Sequence, residues 1–119
     1  MARKDGAEML MQTENIVEFI GDDPDTQRQV FHLCLDLVAS SLPRLRQAVD
    51  DGDLATVRSI AHTTRGSLGM LGLPTLQELG EQIEYHDGAA GAESWRQRCE
   101  ELVHLLSRLQ QELTARLAA

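Results

Sequence analysis

The segment LATVRSIAHTTRGSLGMLGLPTLQELGEQIE, residues 54–84, contains two runs of apolar residues at helical spacing, and Gly72 and Pro74 separate them. Glycine commonly follows the last turn of a helix, and proline suits the first turn of the next one. Asp53 is a suitable N-cap for the first run. The inward positions of the two runs are Leu54, Val57, Ala61, Thr64, Leu68 and Leu71, then Leu76, Leu79 and Ile83. These steps of three and four predict two antiparallel helices joined by a tight turn, the first reaching Gly72.

A short helix and a last helix are predicted at the two ends of the chain. Thr13 is a suitable cap for the short helix, which ends at Gly21, and the apolar Met9 and Leu10 are candidates to extend it. The last helix follows the loop HDGAAGAE, residues 86–93. Its inward positions are Trp95, Cys99, Leu102, Leu106, Leu109 and Leu113.

A long helix is predicted after Asp23 and Pro24, which form a favourable N-cap and first helical residue. Asp25 adds a negative charge at the positive end of the helix dipole. Pro43 lies inside this helix and cannot donate a hydrogen bond to the carbonyl of Ala39. We therefore expect a kink or a break at Pro43.

The composition indicates how these helices assemble. The chain has 119 residues, of which 42% are hydrophobic but only 3% aromatic, so its core is built from aliphatic side chains. Each amphipathic helix is marginal alone. We predict an all-α fold, an antiparallel up-down four-helix bundle with the short N-terminal helix across one end. Residues 7–119 form this single domain, and residues 1–6 are expected to be flexible.

The charge balance excludes some classes of partner. Eleven Lys and Arg face 19 Asp and Glu, giving a net charge of −8, and no basic run is present, which disfavours nucleic-acid binding. No stretch resembles a signal peptide or reaches the roughly 18 apolar residues of a membrane span. We expect a cytoplasmic protein without a membrane partner, and a monomer, because one accessible functional face requires no dimer.

No metal site or disulfide is expected. Cys34 and Cys99 are far apart and lie at inward positions, so they are predicted to be buried thiols. His32, His86 and His104 lie on separate segments, and their depths along the bundle do not clearly agree.

His62 is the first candidate for chemistry, because it lies at the border of the inward stripe of its helix. Gly66 and Gly69 follow within the next two turns, although each costs a helix about 1 kcal/mol relative to alanine. They remove side chains that would keep an approaching protein away from the imidazole. Arg65 places a positive charge where a phosphoryl group on that imidazole would lie. We interpret Gly80 as a packing glycine.

The predicted hairpin brings a carboxylate to this histidine. When the hairpin is reflected about residue 73, the apolar positions pair and His62 falls level with Glu84 or Tyr85. The Glu84 carboxylate can accept a hydrogen bond from one imidazole nitrogen, fix the tautomer and leave the other nitrogen free. Arg65 falls level with residues 81–82.

The same segment resembles the signature of histidine-containing phosphotransfer (HPt) domains. That signature is a histidine, two residues, Lys-Gly-Ser or Lys-Gly-Ala, and a glycine ten positions after the histidine. The matching residues are His62, Arg65, Gly66, Ser67 and Gly72, followed on the next helix by Leu76, Leu79, Ile83 and Glu84. Arg65 departs from the pattern, since the family most often has lysine there. The flat guanidinium donates in a fixed fork, so the transfer rate or the choice of partner is expected to differ.

The resemblance implies a phosphoryl carrier rather than an enzyme with its own ATP site. His62 would accept the phosphoryl group, Arg65 would stabilise it, and Glu84 would orient the imidazole. The partner-binding surface would comprise Arg58, Gly66, Gly69 and Met70, with Ser67 and Gly72 as structural parts of the motif. The partners implied are response-regulator receiver domains and a sensor histidine kinase or hybrid kinase. No cofactor is expected in the chain itself, because the Mg²⁺ of the reaction belongs to the receiver.

Three alternatives stay open at the sequence level. A phosphate-independent adaptor bundle would bind a receiver or kinase, but it predicts loss of the histidine or its cation, and both are present. The phosphorylated N-terminal domain of a chemotaxis-type kinase uses a similar motif and would require kinase segments elsewhere. A small hydrolase or metalloenzyme would require clustered acids and bases, and no such motif occurs.

Overall fold

The computed structural model describes residues 9–85 and 91–119. This part of the chain is all-helical and has no strand, which confirms the predicted all-α class. Residues 1–6, predicted to be flexible, and residues 86–90 of the predicted last loop lie outside it. The helices are α1 (Thr13–Ile20), α2 (Pro24–Asp51), α3 (Leu54–Ser67), α4 (Pro74–Glu84) and α5 (Ala92–Ala118), with a 3-10 turn (Gly69–Leu71) between α3 and α4.

Two helices begin as predicted. The Asp23 side chain accepts a hydrogen bond from the Thr26 N–H at 3.0 Å, and Pro24 is the first residue of α2. The Asp53 side chain accepts one from the Thr56 N–H at 3.1 Å at the start of α3. Each aspartate thus satisfies a backbone N–H that has no partner within its helix.

The predicted start of α1 is wrong. Thr13 is the first helical residue, Gln12 precedes the helix, and no side chain caps it. The backbone before α1 is held by α5 instead: the N–H groups of Leu10 and Met11 donate to the Glu112 carboxylate at 2.7 and 3.0 Å. This contact draws the segment toward α5, so Leu10 does not extend the helix.

Of the kink or break predicted at Pro43, the break does not occur: α2 runs through Pro43 to Asp51 without interruption. Pro43 lies on the exposed side of the helix, whereas Leu42 and Leu45 on either side of it are buried in the core. Packing of these neighbours compensates for one missing backbone hydrogen bond.

The predicted end of α3 is also corrected. The α-helix ends at Ser67, and the chain tightens into the 3-10 turn before Gly72. Gly69 therefore lies in that turn and not inside the helix. Gly72 has a φ of +64°, a conformation that glycine adopts without strain, and it reverses the chain into α4.

Four helices surround the core. α2 packs against α3 and α5, and α4 packs against the same two helices, while α1 packs on the 3-10 turn and on α2. Most predicted inward positions are buried, although Leu54 and Trp95 are half-buried. Cys34 and Cys99 are buried free thiols, as predicted. Within the described residues, no helix has the length and hydropathy needed to cross a bilayer.

Candidate phosphoacceptor site

His62 projects from α3 with one imidazole nitrogen bound and the other open. Nδ1 lies 2.5 Å from Oε1 of Glu84, and 70% of the His62 side chain is exposed. A carboxylate only accepts hydrogen bonds, so in the neutral imidazole Nδ1 carries the proton and Nε2 keeps its lone pair. Nε2 is therefore the nitrogen of this exposed side chain whose lone pair is available for bonding. The short turn between α3 and α4 produces this pairing, which places His62 beside Glu84 as the sequence predicted.

Arg65 reaches the same carboxylate from the next turn of α3. Its Nη2 donates to Oε2 of Glu84 at 2.6 Å, while Nη1 is 3.8 Å from Oε2 of Glu81. The guanidinium carbon also lies 5.9 Å from the centroid of the Tyr85 ring. The sequence placed Arg65 opposite residues 81–82, which identifies its longer contact, with Glu81, but not its shorter contact, with Glu84. The Glu84 carboxylate thus joins the histidine and the arginine, one oxygen to each.

Burial and hydrogen bonding oppose each other at this carboxylate. Burial alone raises the pKa of Glu84, but hydrogen bonds from His62 and Arg65, with the Arg65 charge, outweigh it and hold that pKa below its usual value. Burial lowers the pKa of Arg65, whereas its contacts with Glu84 and Tyr85 raise that pKa above its usual value. At neutral pH, Glu84 is therefore anionic and Arg65 cationic.

The two glycines beside His62 have different surroundings. Gly66 is exposed, and a Cβ added there would have no neighbour within 4 Å, so the surface at this point is open. A Cβ at Gly69 would lie 3.2 Å from Nε2 of Gln77. The same amide group donates to the Arg65 carbonyl at 2.9 Å. Gly69 therefore makes room for Gln77, and its role in partner binding stays a prediction.

Sequence reasoning missed Gln77. The reflection that pairs His62 with Glu84 also places Gln77 level with residue 70, next to Gly69, and that register was the available signal. It missed Asn15 as well, whose side-chain amide donates to the Gly72 carbonyl at 3.1 Å. That contact joins α1 to the turn, and nothing local in the sequence indicates it.

The remaining predicted surface residues are accessible to different extents. Met70 and Ser67 are exposed, whereas Arg58 is half-buried and has interactions of its own. The Phe19 ring approaches Gly72, where an added Cβ would lie 3.1 Å from it. The other exposed large apolar side chains of the described residues, none of them assigned to this surface from the sequence, are Met9, Val17, Phe19, Leu33 and Tyr85.

Other chemistry has little support in the described residues. They contain no group of three or more His, Cys, Asp or Glu side chains arranged to hold a metal ion. Burial raises the pKa of the Cys34 thiol to about 11 and that of Cys99 to about 12. Both thiols are therefore protonated and poorly nucleophilic at neutral pH.

Comparison with protein families matches residues 29–114 to the Hpt domain. The match covers more than half of the 119 residues and includes His62, Arg65 and Glu84, so the chain belongs to the Hpt domain family. Hpt domains are phosphocarrier modules of two-component systems, without an ATP site of their own, and they interact with receiver domains and kinases. Comparisons with curated proteins and with solved structures give no match.

Proposed function

We propose that His62 accepts a phosphoryl group from the aspartyl phosphate of one receiver domain and passes it reversibly to the aspartate of another. The observation that carries this proposal is the His62–Glu84 pair, in which Nδ1 is fixed at 2.5 Å and Nε2 faces solvent. A sensor histidine kinase or hybrid kinase supplies the phosphoryl group upstream. Residues 7–119 act as one monomeric up-down bundle, with α1 across one end.

The tautomer of His62 with its proton on Nδ1 determines which nitrogen reacts. The Nε2 lone pair of His62 attacks phosphorus in line, the N–P bond forms, and the P–O bond to the receiver aspartate breaks with its electron pair on the leaving carboxylate. The imidazole gains positive charge as this happens. Glu84 accepts the Nδ1 hydrogen bond throughout and stabilises that charge, as a fixed carboxylate does for other catalytic histidines.

Arg65 stabilises the phosphoryl group. Its contact with Glu84 uses Nη2, and a guanidinium carries five N–H donors, so others are available to phosphoryl oxygens. The charge of the transferring group is spread over three oxygens, and a permanent cation one turn from His62 lowers its energy. The Mg²⁺ of the reaction is held by the acidic pocket of the receiver.

The receiver docks on the face around His62. Gly66 leaves the backbone of α3 accessible, and Gly69, Met70 and Arg58 complete the surface predicted from the sequence. Phe19 extends it, because α1 packs on the turn that carries Met70 and the Phe19 side chain is exposed. Apolar side chains surrounding a reactive group suit a protein partner, since they exclude water from the contact.

Phosphoryl transfer from a radiolabelled phospho-receiver domain tests this function directly. The wild-type protein should acquire acid-labile, base-stable label, and His62→Gln should acquire none while remaining folded. His32→Gln is the matched control, since His32 is an exposed histidine on α2 and should leave labelling unchanged. Label on His62→Gln would disprove the assignment. Binding of receivers without any label on the wild type would indicate the adaptor function instead.

A further inference from the structure

Gly80 lies on α4 at the point where the Arg65 side chain crosses it. A Cβ at Gly80 would lie 3.3 Å from Cδ and 3.4 Å from Cβ of Arg65. Both distances are shorter than the 3.5–4.0 Å at which carbon atoms attract each other best. Any side chain at this position would therefore push the stem of Arg65 outward.

Packing of the two helices does not by itself explain this glycine. The nearest backbone atom to such a Cβ is the Ala61 carbonyl oxygen at 3.7 Å, which is an ordinary contact. The methyl group of an alanine would therefore not push the two helix backbones apart. Glycine is disfavoured inside a helix, so its presence requires another cause. Of the three atoms nearest to such a Cβ, the two that it would crowd both belong to the Arg65 side chain.

The arginine has little freedom to avoid this contact. Gln77 binds the Arg65 carbonyl at 2.9 Å and fixes the backbone, while the guanidinium is bound to Glu84 at 2.6 Å. The stem between these two attachments passes over Gly80. A displacement of the stem by a few tenths of an ångström would lengthen the contact with Glu84, and Glu84 holds His62.

We propose that Gly80 is a positioning residue for phosphoryl transfer, because its missing side chain allows Arg65 to reach the carboxylate that orients His62. This inference rests on the proposed function of His62. The contacts run from Gly80 to Arg65, from Arg65 to Glu84, and from Glu84 to Nδ1 of the histidine. Gly80 touches no reacting atom and acts through Arg65.

A double-mutant cycle tests the proposal with Gly80→Ala, Arg65→Ala and the combined variant. Two quantities are measured for each protein: the single-turnover rate of transfer from a phospho-receiver, and the pH midpoint of the Glu84 carboxyl by carbon-13 NMR. Gly80→Ala should slow transfer by about three- to ten-fold, because small misplacements of a catalytic constellation have large effects on rate. It should also shift the Glu84 midpoint upward, since the guanidinium moves away. Urea unfolding verifies that the variant is folded.

The combined variant is the matched control, because it has the same added methyl group but no guanidinium to displace. Adding Gly80→Ala to Arg65→Ala should change neither the rate nor the Glu84 midpoint. An unchanged midpoint and rate in Gly80→Ala, or equal slowing in both backgrounds, would overturn the proposal while wild-type transfer stands. Failure of the wild type to accept label would refute the proposed function instead, and the Glu84 midpoints would still decide whether Gly80 positions Arg65.

Discussion

Glu84 is the residue at which the charges of the site meet. Its two oxygens bind a histidine that gains charge in the proposed transfer and an arginine that is always charged. Arg65 holds the carboxylate in place, so in the proposed reaction the acceptor of the Nδ1 hydrogen bond does not need to reorganise. Such preorganised electrostatics are usually a large part of catalysis.

Substitution of Glu84 should separate chemistry from binding. Glu84→Ala should slow single-turnover transfer by about ten- to hundred-fold, the usual effect of losing a group that orients a reactive histidine. Receiver affinity should stay unchanged, because Glu84 lies behind His62 and is only 15% exposed. Glu84→Gln should give an intermediate rate, since its amide oxygen still accepts from Nδ1 without a negative charge. Equal rates in all three proteins would remove Glu84 from the mechanism.

The lowered pKa of Glu84 also predicts a pH dependence of stability. A carboxyl whose pKa is lower in the folded protein contributes stability above its unfolded pKa, near 4.5, and loses it as pH falls through the folded pKa. The difference in unfolding free energy between the wild type and Glu84→Gln should therefore decrease as pH falls from about 5 to about 3, where this carboxyl becomes protonated. Urea titrations at several pH values measure it. A difference that fails to decrease between about pH 5 and about pH 3 would contradict the assigned contacts.

The helix α3 combines two features that oppose each other, a stable scaffold for His62 and an exposed glycine that lowers helix stability. It must be stable enough to carry His62, yet it contains Gly66 at an exposed position with no neighbour that requires glycine. The proposed docking of a receiver on this face accounts for the residue. In that proposal the helix is less stable at the point where the receiver approaches.

Gly66→Ala should raise the free energy of unfolding and slow phosphoryl transfer from the receiver. Alanine is favoured over glycine in a helix by up to about 1 kcal/mol, and no side chain obstructs it here. The added methyl should nevertheless slow transfer from the receiver. Thr114→Ala is the control, because it also improves helix propensity but lies at an exposed position of α5, outside the proposed docking surface. Urea unfolding and transfer rates check both, and a stabilised variant with wild-type transfer would exclude Gly66 from the docking surface.

The parts of the site that could be predicted are those that helical register determines. A turn of known position aligns α3 with α4, and the short His62 side chain then reaches Glu84, the residue level with it. Arg65 was placed less accurately because its long side chain reaches well beyond the level of its Cα. The carbonyls of Arg65 and Gly72, before and after the end of α3, accept hydrogen bonds from Gln77 and Asn15 on other elements. Helical register places Gln77 beside Gly69, but sequence periodicity contains no information about the contact of Asn15.

At the scale of the whole molecule, Glu112 joins the two ends of the described chain. It is buried, and it accepts hydrogen bonds from two backbone N–H groups before α1. Arg116, one turn later on α5, donates to the Met11 carbonyl at 3.4 Å. Met11 itself is buried in the core. The placement of α1 against the turn after His62 therefore depends on the far end of α5.

Removal of this carboxylate should destabilise the protein. Glu112→Ala should lower the unfolding free energy by about 1–3 kcal/mol, because two backbone donors in a partly buried region lose their acceptor. Glu112→Gln should cost less, since its single oxygen can still accept one of them. Glu101→Ala, an exposed glutamate of the same helix, should have little effect in the same urea titration. Equal stabilities for Glu112→Ala and Glu101→Ala would contradict a structural role for the contact.

The Glu112 contact also affects the order in which the chain folds. Its two hydrogen bonds connect Glu112 to residues that precede it by 102 and 101 positions. Their formation therefore requires closure of a loop that includes nearly every other element. α1 should therefore dock last, and it should open first in brief excursions from the native state, with faster amide hydrogen exchange than α2 or α5. In such a partly open form His62 and Glu84 should stay paired while Phe19 leaves the proposed docking surface, so the reactivity of the histidine and the binding of a receiver should vary independently.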